Sequence, residues 1–217
     1  MRSPVTLGLL VVAAVFAGFV WRHRSTPDQP PLPARPVIEK QPVVFAQRFF
    51  DPATPPSEMP RLGEGEEAEC DSNFLSDASV SGRMQKLDKS SAMVTISQVK
   101  VTLELKITIW VPNGATQHVV EHEEGHRQIS EHYYRFADQV AAESGAPYIG
   151  RQIAISGTDL DAELERTLRG LSKAITEEYN SKLNPGPVQQ RYDELTDHSR
   201  NDRDSKEAAA QALKEAM

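Results

Sequence analysis

His118-Val119-Val120-Glu121-His122-Glu123-Glu124-Gly125-His126-Arg127-Gln128-Ile129-Ser130-Glu131-His132-Tyr133-Tyr134 is the stretch on which the reading of this 217-residue chain turns. Val119, His122, His126, Ile129 and Tyr133, continued by Phe136 and Val140, recur at alternating steps of three and four, the buried stripe of an amphipathic helix. Two histidines therefore stand where the stripe asks for apolar side chains. A buried imidazole needs a partner, and a metal ion satisfies two at once. His122-Glu123-Glu124-Gly125-His126 also fits H-E-x-x-H, in which imidazoles one helical turn apart bind zinc and the glutamate acts as general base. Glu123 lies about 100° around the helix from His122, where it can reach a metal-bound water without ligating the metal. Gly125 costs about 1 kcal/mol relative to Ala inside a helix, so its presence predicts the close approach of another backbone.

Upstream, Val99, Val101, Leu103, Leu105, Ile107 and Ile109 alternate with polar residues, the period of a half-buried strand or a long hairpin arm. Pro112-Asn113-Gly114 turns the chain into the helix, with Thr116 as N-cap, and Ser144-Gly145-Ala146-Pro147 ends it. A connector over 148–155 leads to a second helix, about Asp159 to Leu183, capped by Thr158. A short helical piece over Val188 to Leu195 and a solvated helix over Lys206 to Ala216 close the chain. Ser79 to Ser91 reads as a short helix or loop. The expected class is α+β and zincin-like: a small antiparallel sheet packed on a long metal-binding helix, with further helices behind.

The first 62 residues differ in composition. Val5 to Trp21 is apolar and uncharged, preceded by Arg2 and followed by Arg22-His23-Arg24, so residues 1–24 read as a signal anchor or a cleaved signal peptide. Residues 25–62 hold ten of the fifteen prolines and read as an extended linker, interrupted by Val43-Val44-Phe45 and Phe49-Phe50, which suit a docking segment or a first short strand. The folded domain is expected over 63–217, outside the cytoplasm, anchored through residues 5–21 and facing the periplasm, or secreted.

A formal charge of −7 gives no general attraction for nucleic acid, and a single cysteine, Cys70, excludes both a disulfide framework and a thiolate metal site. Zinc ligands must then be histidine and carboxylate. A catalytic site needs a third protein ligand beside His122 and His126. His118 lies a turn too far along the axis, and His132 points away from the stripe. His198 remains, as do Glu163, Glu165, Glu177 and Glu178 on the second helix, and spacing does not choose among them. Asp138 and Asp197 are candidates to orient a ligand imidazole, though surface roles are commoner for both.

The H-E-x-G-H segment, followed some seventy residues later by Tyr192-Asp193, Thr196 and His198, resembles a bacterial family of predicted secreted zinc-dependent proteases. The resemblance spans about Gly63 to Asn201. It implies His198 as third ligand and Tyr192 as a group steadying the oxyanion. Ser199 departs from it, since glycine is expected there, and is tolerable if the backbone dihedral is ordinary. The expected function is zinc-dependent hydrolysis of a protein or peptide substrate, with Glu123 activating water and the alternating strand offering its backbone to an extended peptide. Two rivals are a non-catalytic zinc-binding envelope module and a zinc amidase acting on cell-wall peptides.

Overall fold

The computed structural model describes residues 35–63 and 65–216. The expected signal or anchor over 1–24 and the first part of the linker lie outside the described residues. Among those described, no helix is long and apolar enough to cross a membrane.

One strand organises the sheet. β4, Ser91–Pro112, pairs along its whole length with the antiparallel β3, Glu69–Lys86, from Glu69↔Trp110 to Lys86↔Ala92. Its other edge is shared end to end by three short strands: β5 (Gln152–Ser156, antiparallel), β1 (Val37–Lys40, parallel) and β2 (Val44–Phe50, parallel). The sheet is therefore mixed rather than antiparallel. β1 and β2 also show that the folded body begins well before Gly63, because eleven residues of the expected linker are strand. Prolines at positions 36, 42 and 52 bracket these two strands rather than interrupting them.

The alternation in β4 holds, and it extends further than its clearest segment. Buried residues fall at Ala92, Val94 and Ile96, then change parity to Val99, Val101, Leu103, Leu105, Ile107 and Ile109. A β-bulge accounts for the change: Ser81 pairs with Gln98 and Gly82 with Ile96, leaving Ser97 unpaired, so both halves of β4 keep one face on the core. Each fully buried Val, Leu or Ile side chain among them contributes about 1.5–3 kcal/mol relative to exposure. Residues 79–86, expected as helix or loop, are the second half of β3.

The helix of the stripe packs on this face through Tyr134, while its His122, His126 and Ile129 turn to the two C-terminal helices. α1 runs Gln117–Arg135, with the Thr116 hydroxyl accepting from the Val119 amide at 3.4 Å as expected of an N-cap. It stops sooner than the stop signal at Gly145 predicts. Phe136, at φ −97° and ψ 0°, breaks the helix, and α2 (Ala137–Gly145) continues in a new direction that buries Ala137 and Ala141. Phe136 itself is 51% exposed and leaves the stripe, whereas Val140 beyond the break is part-buried against the core. The Tyr134 hydroxyl ties the end of α1 to the sheet, reaching Leu103 O at 2.9 Å and Gln41 O at 2.8 Å.

A 3₁₀ turn (Ala146–Tyr148) and β5 replace the expected connector. α3, Leu160–Lys182, lies on β3 and α2, burying Leu160, Ile175 and Tyr179. Its cap is Asp159 rather than Thr158, because the Asp159 carboxylate accepts from the amides of Asp161 and Ala162 at 3.1 Å. α4 (Gly186–Thr196) and α5 (Ser205–Glu215) pack on α1 away from the sheet. α5 is less solvated than its composition predicts, since Ala208, Ala209 and Ala212 are buried against Ile129, Val188, Tyr192 and Leu195.

Candidate metal centre

α1 and α4 face each other across the motif. From α1 come His122 (3% exposed), Glu123 (5%) and His126; from α4 come Gln189, Tyr192 and Asp193. His122 Nε2 and His126 Nε2 are 3.2 Å apart, and Asp193 Oδ1 lies 2.9 Å from His126 Nε2 and 3.4 Å from His122 Nε2. Three ligand atoms of the type zinc accepts thus share one buried point. Ligands about 2.1 Å from a tetrahedral ion stand about 3.4 Å from one another, so the set fits such an ion with little movement. Despite these approaches Asp193 Oδ1 makes no aligned hydrogen bond, and His122 Nδ1 and His198 Nδ1 are also buried without one, three of six such atoms among the described residues. Half of those unpartnered buried polar atoms thus gather at this one place.

Gln189 sets the tautomer of His126. Its Oε1 accepts from His126 Nδ1 at 2.7 Å, while its Nε2 donates to His126 O at 3.1 Å and Ser130 Oγ at 3.0 Å. With the Nδ1 proton fixed, the Nε2 lone pair points at the shared position. Ser130 continues the chain to Ser72 Oγ on β3 at 2.9 Å.

Tyr192 is fully buried and stacks on His122, ring centroids 5.0 Å apart and planes within 15°, with an edge contact to His126 at 4.8 Å. Its hydroxyl donates to His122 O at 3.0 Å. This corrects the expectation that it steadies an oxyanion: the hydroxyl is spent on helix backbone, so Tyr192 positions the ligand helix. The same contact corrects the reading of Gly125. A Cβ there would sit 2.2 Å from the Tyr192 hydroxyl oxygen, so the glycine admits a tyrosine side chain rather than a backbone.

His198 does not join the three-atom group. α4 ends at Asp197 in the left-handed conformation, and Asp197, His198 and Ser199 have φ of 47°, 52° and 63°. That turn carries the His198 ring to the rim, with Nδ1 3.9 Å from Asp193 Oδ1 and 3.7 Å from Glu66 Oε1. The dihedral of Ser199 is thus not ordinary but one that favours glycine. His118 ties the turn down through Asn201 O at 2.8 Å, and the His132 ring stacks edge-on against Tyr133 and Phe136. Glu163, Glu177 and Glu178 pair with Arg166, Lys173 and Lys182 on α3, and Glu165 lines a groove between α3 and β3, so none of these four glutamates reaches the histidines. Asp138 and Asp197 are surface residues, paired with Lys40 and Arg200. Cys70 is part-buried beside Ser72, and burial pushes its thiol above the ordinary range, as suits a structural role.

Asp193 is the candidate ligand least visible in the sequence. Its signal is the spacing Gln189, Tyr192, Asp193, Thr196, one face of a helix carrying only side chains that can hydrogen-bond. The charges of the group act strongly on one another. Burial disfavours the charged form of His126, but the Asp193 carboxylate outweighs it and raises His126 to about 9. Burial also opposes ionisation of Asp193, yet the two imidazoles hold it well below the usual carboxylate range. His122 is lowered, chiefly by burial. Burial pushes Glu123 up to about 8, and Glu69 up to about 7 with help from Glu66.

In front of the group opens a cavity of about 370 Å³, lined by α1, α4, the first residues of β3 and Glu66. Both edges of β4 are occupied, so the alternating strand has no backbone to offer a peptide. β3 does: among the described residues its second edge pairs with no strand, and Ala68 to Ser72 line the cavity in succession. The chain matches no family model, no curated protein and no solved structure.

Proposed function

We propose that this chain is a zinc-dependent peptidase with a zincin-like arrangement, in which His122, His126 and Asp193 hold the metal and Glu123 is the general base. The observation that carries the reading is the convergence of two Nε2 atoms and one carboxylate oxygen at 2.9–3.4 Å from one another, beside a buried glutamate that makes no hydrogen bond or ion pair among the described residues. Zinc bound there would lower the pKa of its water to about 7 and polarise a carbonyl. A dication beside Glu123 favours its ionised form, ready to accept the proton of that water. With zinc supplying an activated water for attack on the scissile carbonyl, Glu123 would take that water's proton and deliver it to the amine released when the C–N bond breaks. Gln189 and Tyr192 hold the ligands in place, and the free edge of β3 pairs with the substrate backbone. The apolar run at residues 5–21 supports placing this activity outside the cytoplasm.

Metal analysis of the purified full chain, together with a broad peptide screen, tests the reading. Wild type should hold one zinc after dialysis, and Asp193→Ala, His122→Ala and His126→Ala should hold little. His198→Ala should stay loaded, and Glu123→Gln should keep zinc while losing hydrolysis. Retention of zinc by Asp193→Ala with loss in His198→Ala would return the third position to His198. A loaded wild type that cleaves no peptide would favour a binding module instead.

A further inference from the structure

The cavity has walls of one sign. Glu66, Glu69, Asp71 and Glu123 line it beside Asp193, and no Lys or Arg is among its lining residues. Elsewhere acidic side chains find cations: Glu124 and Glu131 hold Arg127, Asp138 holds Lys40, and Glu194 holds Arg191. Glu66 is shared with the Gly63 amide and His198. Glu69 and Asp71 form no ion pair among the described residues, although both are half-buried. Alternate residues of a strand share a face: Cys70 and Ser72 turn to α1 and the core, so Glu69 and Asp71 share the other face of β3, at the open edge where a paired peptide would set alternate side chains beside them. Burial, with Glu66 beside it, disfavours the charged form of Glu69, and a cation brought to this edge would relieve that cost.

Two further features say what brings the cation. Glu123, 5% exposed and unpartnered, faces the same cavity, as does His122, whose buried Nδ1 has no partner. The acidic pair also sits on a strand edge open to backbone pairing, which admits an extended peptide rather than a bare ion.

We propose that the cleft selects peptides carrying a cationic group, a Lys or Arg side chain or a free N-terminal amine, with Glu69 and Asp71 as its counter-charges. This rests on the peptidase reading for the position of the peptide, and binding can be read without turnover.

The zinc-loaded, full-length Glu123→Gln protein is titrated with fluorescent peptides identical except at one position: Lys, norleucine or Glu with an acetylated N-terminus, and norleucine with a free one. The Lys peptide should bind about tenfold tighter than blocked norleucine and about a hundredfold tighter than the Glu peptide, and raising NaCl from about 50 to 500 mM should remove most of that preference. Adding Glu69→Gln and Asp71→Asn should bring the blocked peptides within about twofold of one another while norleucine binding stays unchanged. Asp71→Asn alone, with folding checked by its thermal melt, should give an intermediate preference. Tight binding confined to the free amine identifies the terminus as the source of the cation. Equal binding of Lys and Glu peptides, a preference that survives the double substitution, or calcium held by wild type but not by the double variant in place of any peptide preference overturns the proposal. Wild type that binds the Lys peptide tightly but never cleaves it refutes hydrolysis and leaves the cationic cleft standing; equal kcat/KM for all three blocked peptides does the reverse.

Discussion

Two apolar clusters hold the described residues together, and they are built differently. The larger fills the space between the sheet and α1 to α3 with long aliphatic side chains from β4 and two buried tyrosines, Tyr134 and Tyr179. The smaller joins α1 to α4 and α5 through seven buried residues, three of them alanine. Burial scales with area, so the helical end holds much less of the stabilising free energy than the sheet. Asp193 and Gln189 belong to that weaker end, His122 and His126 to a helix anchored in the stronger one. The candidate metal site straddles the two. A bound ion would then do at this junction what apolar contact does elsewhere, and its removal should be felt at α4 and α5 before the sheet.

The harshest test of this contrast is Gly125→Ala. Its new Cβ would meet the Tyr192 hydroxyl oxygen at 2.2 Å and the ring at 2.5 Å, and Tyr192 is the largest member of the smaller cluster. Overpacking of this severity should cost about 3 kcal/mol or more in chemical denaturation and release zinc with it. A loss under about 1 kcal/mol would show that Tyr192 does not pack there.

A matched pair comes next. Ile129→Ala and Ile107→Ala each remove a fully buried isoleucine side chain beyond the β-carbon, and each should cost about 2–5 kcal/mol. Hydrogen exchange should separate them. Ile129→Ala should deprotect α4 and α5 while the β3–β4 ladder stays protected, whereas Ile107→Ala should lower protection throughout. Identical exchange maps would mean that the two clusters unfold as one.

Acidity offers a milder probe. Asp193 raises His126 to about 9 in the metal-free chain, so a metal must displace that proton. Zinc affinity should therefore climb about tenfold per pH unit from 6.5 towards 9 and flatten beyond, with about one proton released per ion at pH 7.5, read from calorimetry in two buffers. The stability of the metal-free chain should move oppositely. A folded pKa above the unfolded 6.5 means that this pair's contribution is complete below that value and is lost as pH rises through about 9. Zinc binding without proton release would break the assignment of His126 as a ligand.

The smallest expected effect is Ser199→Gly. At φ 63° the serine is held in left-handed backbone, so glycine should stabilise the turn by about 1 kcal/mol, visible as a modest rise in Tm. An unchanged or lowered Tm would mean that the strain is offset elsewhere.

What the sequence disclosed followed periodicity. α1 and β4 were legible because each commits many residues to one period, and Thr116 because a cap is a local event. The break at Phe136 was not, since nothing in its neighbours differs from helix interior. β1 and β2 hid behind prolines that mark strand ends as readily as a linker. In the site, His122, Glu123 and His126 announced themselves, being costly to bury without a purpose. Asp193 did not, because an aspartate near a helix end is ordinary on a surface and only the facing helix makes it a ligand. The bulge at Ser97 lay in plain view as the parity change between Ile96 and Val99, legible once both halves of β4 are read together.

The pairing of β2 with the far end of β4 also bears on the order in which the molecule can be made. Phe50 finds its partner Pro112 only 62 residues later, and Val44 waits as long for Lys106. At about 5–20 residues per second, synthesis leaves these strands without a neighbour for roughly 3–12 s after they emerge. During that interval Val44, Phe45 and Phe49, apolar and still 45–66% exposed in the finished fold, have nothing of their own chain to bind. A nascent chain with this topology keeps these strands unpaired until more than half of it exists, so the sheet closes late, and from a strand made after the ones it must join.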